Sequence, residues 1–329
     1  MLAITQETPG GPESLLLREV PDPDHGPGEV LIKVAAGAVN RADLLQREGH
    51  YPVPAGASPI LGMECSGTVV AVGSDVKDWL VGDQVCALLA GGGYAELVAV
   101  PSPQVLPIPD GVSLLDAAGL PEVACTVWSN VMMKGGLRAG QTLLVHGGSS
   151  GIGTMAIQVG KAAGATVLVT ASRDEALERC RLLGADVGIN YGTADFVEAT
   201  LAATDGRGAD VILDVVGAKY LQRNISALAL DGSVIVIGMM GGTKAELDLG
   251  ALMGRRGSVI STALRSRPVT GPGSKGEIVA AVRAHLWPLI AAGTVRPVID
   301  TVYPLADAGS AHRRMAAGGH LGKIVLKVN

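Results

Sequence analysis

Apolar and polar positions alternate along this chain in three different rhythms. Between residues 122 and 264, short apolar runs alternate with amphipathic stretches. The runs near 142–146, 166–170, 187–190, 210–215, 233–237 and 258–263 have the length of buried strands. Stretches near 152–163, 174–183, 195–203 and 220–229 have helical spacing and fill the gaps. Six strands with right-handed helical crossovers make an α/β domain built on a doubly wound parallel sheet. Residues 1–121 are β-rich instead: Glu29–Ala36, Gly67–Val72, Gln84–Leu89 and Tyr94–Val100 are punctuated by Gly and Pro at the spacing of a barrel or sandwich. Short helices are expected over Arg41–Gln46 and Leu114–Gly119. Beyond 264 come a helix-like stretch at 277–293 kinked by Pro288, the strand-like VRPVIDTVY, a helix near 305–317 and the strand-like GKIVLKV. A lone strand needs a sheet to join, so 265–329 is expected to return to the β-rich domain and complete it.

The densest signal lies at 142–172, TLLVHGGSSGIGTMAIQVGKAAGATVLVTAS. Strand, glycine loop, helix and strand follow one another, which is the βαβ unit of a Rossmann dinucleotide site. Gly148 is expected to turn tightly, Gly151 to admit phosphate, and Gly153 to let the helix lie close to the sheet. Ser149 and the amides from Ile152 onward would complete a pyrophosphate cradle at a positive helix end. The order G-x-x-G-x-G is less specific than G-x-G-x-x-G, and the flanking strands carry much of the inference. A plain glycine turn in an ordinary βαβ unit is the alternative.

The end of the second strand distinguishes dinucleotides. An acid there bonds the ribose 2′-hydroxyl of NAD. Here Ser172 and Arg173 stand in its place, groups suited to a 2′-phosphate, so NADPH is the expected cofactor. The alternative is that Ser172 merely caps the helix that follows; capping and phosphate contact are compatible, and Arg173 decides between them.

Composition narrows the remaining classes. Hydrophobic residues make up 48% and aromatics only 3%, so the cores must be aliphatic. A formal charge of −5 offers no footprint for nucleic acid or an anionic membrane. The first residues lack a charged n-region and a long apolar h-region, and no unbroken apolar run approaches a membrane span; a cytoplasmic protein is expected. Cys65, Cys86, Cys125 and Cys180 are widely spaced, which favours neither a structural zinc nor a disulfide framework. The histidines do not cluster; His146 faces the glycine loop and reads best as a satisfied strand-end residue.

From end to end the chain resembles the medium-chain dehydrogenase/reductase superfamily. Within it, the chain is similar to the zeta-crystallin-like NADPH quinone oxidoreductases, above all the tumour-suppressor-inducible branch. The marks are NRADLLQREGHYPVPAGAS (40–58), LGMECSG (61–67), GDQVCALLAGGGYAE (82–96), HGGSSGIGTMAIQ (146–158), LGADVGINY (183–191), LALDGSVIVIGMMGG (228–242), LRSR (264–267) and GKIVL (322–326). The resemblance implies a GroES-like barrel domain (1–121 with 265–329), a Rossmann domain (122–264), a cleft between them and a homodimer. Zinc-dependent relatives have a Cys ligand where this chain has Asn40, and GHE where it has Gly62, Met63 and Glu64. Too few ligands remain for a catalytic zinc. Without a Lewis acid, reduction of an electrophilic quinone or enone is easier to explain than alcohol oxidation.

The resemblance also assigns site residues, each beside a plainer reading. Asn40 would contact nicotinamide or acceptor, or cap the helix at 41–46. Tyr51 would flank the acceptor by stacking or proton donation, or be a packed loop aromatic. Thr126 would lie near the nicotinamide ribose, or be a helix-buried hydroxyl. Tyr191 would reach the adenine ribose phosphate, or sit in the core. Gly238, Met239 and Met240 would line the nicotinamide pocket, and Leu264, Arg265 and Ser266 would enter the cleft. Arg265 would meet a cofactor phosphate or form a surface salt bridge, and Lys323 is a weaker cofactor contact. Relatives have a lysine after the serine of the second strand, where Glu175 and Ala176 stand here. The rival functions are an NADPH-dependent enone or enoyl-thioester reductase and a non-catalytic NADPH-binding protein.

Overall fold

The computed structural model describes residues 1–328. In chain order the strands are β1 (Leu2–Thr5), β2 (Leu16–Glu19), β3 (Glu29–Val39), β4 (Glu64–Val72), β5 (Gln84–Leu88), β6 (Leu97–Pro101), β7 (Val105–Pro107), β8 (Thr142–His146), β9 (Thr166–Ala171), β10 (Val187–Asn190), β11 (Ala209–Asp214), β12 (Leu228–Val236), β13 (Ser258–Ser261), β14 (Ile299–Pro304) and β15 (Lys323–Lys327). The helices are α1 (Arg41–Arg47), α2 (Leu114–Ala117), α3 (Pro121–Val127), α4 (Gly151–Ala162), α5 (Asp174–Leu182), α6 (Phe196–Ala202), α7 (Leu221–Ala227), α8 (Leu249–Gly254), α9 (Lys275–His285), α10 (Trp287–Ala291) and α11 (Ala308–Ala317). No helix among the described residues is long and apolar enough to cross a membrane.

The chain divides into two compact units. One comprises Met1–Cys125, Leu264–Gly293 and the chain from Pro297 onward; the other comprises Thr126–Ala263 and Thr294–Arg296. In the first unit, seven strands form one sheet in the order β14-β15-β3-β4-β5-β7, with β6 also paired to β3. β15 pairs antiparallel with β3, Ile324 opposite Val39, so the C-terminal strand closes onto the N-terminal sheet. Val30, Ile32, Val69, Val85, Val100 and Leu326 form its aliphatic core. Gly67 sits where β4 crosses β3, and a Cβ there would lie 2.1 Å from the Lys33 carbonyl oxygen.

Several elements differ from the pattern-based expectation. The strand expected at Tyr94 starts at Leu97, because the Tyr94 amide donates to the Leu61 carbonyl and its carbonyl accepts from Ile4. β1 and β2 gave no alternating signal: β2 is exposed on both faces. The helix expected over 277–293 is two helices broken at Leu286, with Pro288 in the first turn of α10, where its missing N–H costs nothing.

In the second unit the six parallel strands run in the order β10-β9-β8-β11-β12-β13. The order reverses between β8 and β11, and ligands of such sheets bind at the carboxyl ends of the strands beside that reversal. Leu144, Leu168, Ile189, Ile212 and Val234 pack one face under Phe196 and Tyr220.

Candidate functional site

In the second unit the turn after β8 is made by Gly147, at φ +77°, and not by Gly148 as the pattern suggested. Gly148 has a different constraint: a Cβ there would lie 2.7 Å from the Val169 Cβ on β9. A Cβ on Gly153 would lie 2.4 Å from the carbonyl oxygens of both Gly147 and Gly148, so α4 packs its first turn against the loop backbone. Ser150 caps that helix; its Oγ accepts from the Gly153 amide at 3.0 Å. Gly151 and Ile152 have no carbonyl one turn back, so their amides are free to face an anion at the positive end of a twelve-residue helix. Ser149 lies between, half-buried. This cradle fits a dinucleotide pyrophosphate.

A buried hydrogen-bond chain fixes the loops beside the sheet reversal. Asp214 Oδ2 accepts from Asn224 Nδ2 at 3.0 Å, so Asn224 Oδ1 must accept from His146 Nε2 at 2.8 Å. His146 Nδ1 is then the acceptor for the Thr170 hydroxyl at 3.1 Å. At the far end the Asp214 carboxylate holds the Val216 amide at 2.6 Å and the Gly217 amide at 3.1 Å. His146 is thus a satisfied strand-end residue that links the loop after β8 to the loop after β11.

At the end of β9, Arg173 occupies the N-cap position of α5, so Ser172 stands one residue before it and does not cap the helix. Both side chains are exposed. Tyr191 is not a core tyrosine: it is 48% exposed, and its amide donates to the Ala171 carbonyl, which brings it beside the same strand end. Asp174 accepts from Asn190 Nδ2 at 2.8 Å. Gly238, Met239 and Met240 follow β12, tied down by the Met240 amide on the Val215 carbonyl, with both methionine side chains exposed. Thr126 is buried, and its carbonyl accepts from Asn130 Nδ2 at 2.8 Å.

The first unit holds a second buried polar group. Glu64 Oε1 meets Lys323 Nζ at 2.7 Å and accepts from Asn40 Nδ2 at 2.9 Å; its Oε2 accepts from the Glu122 amide at 2.9 Å. Lys323 also donates to Asn40 Oδ1 at 2.7 Å and the Val39 carbonyl at 3.1 Å. An ammonium has three hydrogens, and all are spent here, so the expected cofactor contact from Lys323 has no donor left. Asn40 is the N-cap of α1, but the capping carboxylate is Asp43, which accepts the Asn40 amide at 2.7 Å and the Gly62 amide at 3.0 Å. The Asn40 side chain is bound into the ion pair instead.

Arg265 is not a surface residue. It is 4% exposed, donates to the Ala90 carbonyl and Gln46 Oε1, each at 2.7 Å, and stands 5.4 Å from the Tyr51 ring. Leu264 is buried beside it and Ser266 is exposed. Burial raises the pKa of Tyr51, so its hydroxyl stays protonated at neutral pH. These residues bring Tyr51, Gln46 and Arg265 together. Gln46 and Arg265 also line a cavity that Lys275 shares; no motif relates the spacing of Lys275 to Arg265, so the sequence carries no sign of it.

The donor set at the positions that hold metal in zinc-dependent relatives does not fit zinc. Asn40 offers an amide, Met63 a buried thioether, and the Glu64 carboxylate is already neutralised by Lys323. No group of three His, Cys, Asp or Glu side chains converges among the described residues.

The three buried titratable groups with the largest shifts in the acid range dominate the pH dependence. His312 lies between Arg47 and Tyr94, and burial, then the Arg47 charge, lowers its pKa from 6.5 to about 3. Burial lowers that of His146 to about 4. As pH falls below 6.5 the unfolded chain takes up two protons that the folded chain refuses, so stability is present above that pH and is lost on acidification. Asp43 acts oppositely, since burial raises its pKa from 3.8 to about 6. Its contribution is present below 3.8 and lost as pH rises through 6. Two protons therefore oppose folding from pH 6.5 to 6, and a net one from 6 to about 4. Apparent stability is expected to fall by roughly 3 kcal/mol between pH 6.5 and 4.5, with a shallower slope in His312→Gln. Unfolding curves across that range check this; a flat profile would contradict it.

Comparison with known proteins adds to this geometry. A family model described as "Zinc-binding dehydrogenase" matches residues 151–274, and one described as "Alcohol dehydrogenase GroES-like domain" matches residues 26–110. A 2-haloacrylate reductase from Burkholderia is 30% identical, with 96% of each chain covered. The Escherichia coli quinone oxidoreductase, solved in complex with NADPH, superposes with a TM-score of 0.88 at 28% identity over 99% of this chain and 100% of the other. A phthioceranic/hydroxyphthioceranic acid synthase of Mycobacterium tuberculosis is 32% identical over 98% of this chain, which spans only 15% of that protein's length.

Proposed function

Because this chain belongs to the medium-chain dehydrogenase/reductase superfamily, we propose that it is an NADPH-dependent, zinc-independent reductase of quinones, of the zeta-crystallin-like kind. The observation that carries the reading is the Glu64–Lys323–Asn40 cluster, in which an internal ammonium ties up Asn40 and Glu64, the positions matched to the metal-binding motifs of zinc-dependent relatives. Such a site favours an acceptor that is already electrophilic.

When bound, the cofactor supplies the hydride. The protein does the rest. Gly151 and Ile152 offer amides to the pyrophosphate, and Gly148 and Gly153 leave the backbone room to close around it. Ser172, Arg173 and Tyr191 serve the 2′-phosphate, with no acid at the end of β9 to repel it. Tyr51 carries a phenolic proton at neutral pH and can donate it to the reduced acceptor. The outer edge of β13 is unpaired among the described residues, and α8, which leads into it, exposes Leu249 and Met253; these features support a homodimer formed through that edge.

A second reading has its own support. The reductase of 2-haloacrylate matches over nearly the whole chain, which favours reduction of an activated alkene on the same frame. NADPH oxidation against a panel of quinones and enones separates the two: quinone turnover is expected, and turnover of crotonyl thioesters with inert quinones would favour the second. In the same assay Arg173→Ala is expected to weaken NADPH about tenfold and leave NADH within twofold. Equal effects on both dinucleotides would remove Arg173 from the phosphate site.

A further inference from the structure

The first unit contains a cavity of about 1130 Å³ whose lining includes Gln46, Leu89, Ala90, Arg265 and Lys275. Two of these are buried cations with no carboxylate at salt-bridge distance among the described residues. Lys275 is 5% exposed, and its ammonium has no hydrogen-bond acceptor and no carboxylate within 4.0 Å among the described residues. It is the first residue of α9, where the helix dipole is positive and a cation is disfavoured. Arg265 has one guanidinium nitrogen, Nη1, buried with no partner. Burial lowers the pKa of both residues; for Lys275 the Glu122 charge works against this, and the Arg265 charge, a smaller effect, adds to it. The acids that act on them at a distance are Glu122 on both and Asp43 on Arg265. Acids that line the cavity are Glu7, Asp24 and Glu29, and a third cation, Arg267, lines it too. Glu7 pairs with Arg18, and Glu29 accepts the Gly26 amide.

Desolvation disfavours both cations, and the helix end and the Arg265 charge further disfavour Lys275; the distant acids offset this only in part, and an oxyanion bound by the two would relieve these costs. Resting on the reductase reading, we infer that the cavity is an anion subsite, and that the acceptor this protein reduces carries a carboxylate or phosphate bound by Lys275 and Arg265. The charged group of the acceptor then anchors in the cavity at Arg265, whose guanidinium stands 5.4 Å from the Tyr51 ring, and a neutral acceptor lacks that anchor.

The test compares 1,4-naphthoquinone with 1,4-naphthoquinone-2-sulfonate on the wild type, Lys275→Met and Lys275→Arg. Comparing the ratio of kcat/KM for the sulfonate to that for the neutral quinone between variants cancels the difference in redox potential of the two quinones. Lys275→Met is expected to lower this ratio about tenfold through KM, with Lys275→Arg restoring most of it. An unchanged ratio would overturn the inference. Calorimetric titration of the sulfonate covers a protein that turns over neither quinone: binding to the wild type that weakens in Lys275→Met keeps the anion site and discards only the quinone reading. No binding to the wild type overturns the subsite itself. Inorganic phosphate as competitor distinguishes the sources: inhibition by millimolar phosphate points to a phosphorylated acceptor, and its absence to a carboxylate.

Discussion

Gly153→Ala is expected to weaken NADPH binding by at least about 100-fold, roughly 2.7 kcal/mol. The added Cβ would lie 2.4 Å from two carbonyl oxygens, those of Gly147 and Gly148. Both are backbone, so no side chain can swing aside; either the loop or the first turn of α4 must move. Gly147 is already committed to a left-handed turn, and its amide is bonded to the Thr170 carbonyl at 3.1 Å, which holds the loop against such a shift. The displacement therefore falls on the amides of Gly151 and Ile152 that face the phosphates. Gly254→Ala is the control, since a Cβ at that helical position meets nothing within 4 Å. Fluorescence titration with NADPH measures both. Near-wild-type affinity in Gly153→Ala would show that the cradle does not bind the pyrophosphate.

Lys323→Met is expected to cost about 3–5 kcal/mol of stability, because it leaves the Glu64 carboxylate buried without a counter-charge. The loss extends to Asn40, whose Oδ1 would then have no donor. Glu64→Gln in the same chain removes the stranded charge, so the double variant should recover most of the stability while activity stays low. Thermal unfolding and NADPH oxidation of the single and double variants test this. Additive losses would mean that the two side chains do not act as a pair.

Much of the second unit was legible because parallel strands buried on both faces give continuous apolar runs, as at Leu143–Val145 and Val167–Val169. The strand end at Ser172 and Arg173 was readable for the same reason. Elsewhere local pattern carried less. β1 and β2 are held by each other and by main-chain bonds to Glu96 and Tyr94, which leave no periodicity. For Arg265 the sequence leaves both a cofactor phosphate and a surface salt bridge open, because nothing in LRSR reveals that Ala90 and Gln46, far away in sequence, supply its acceptors. Lys323 was read as a cofactor contact, since its true partners, Glu64 and Asn40, meet it only when β15 pairs with β3. Long-range pairing, and not composition, decides the role of each of these charges.

The most direct test of metal-free reduction is the rate of NADPH oxidation with 1,4-naphthoquinone after exhaustive treatment with a chelator. The Glu64–Lys323 pair predicts a rate unchanged from that of the untreated protein. Loss of the rate on chelation, with recovery on adding one equivalent of zinc, would contradict the account.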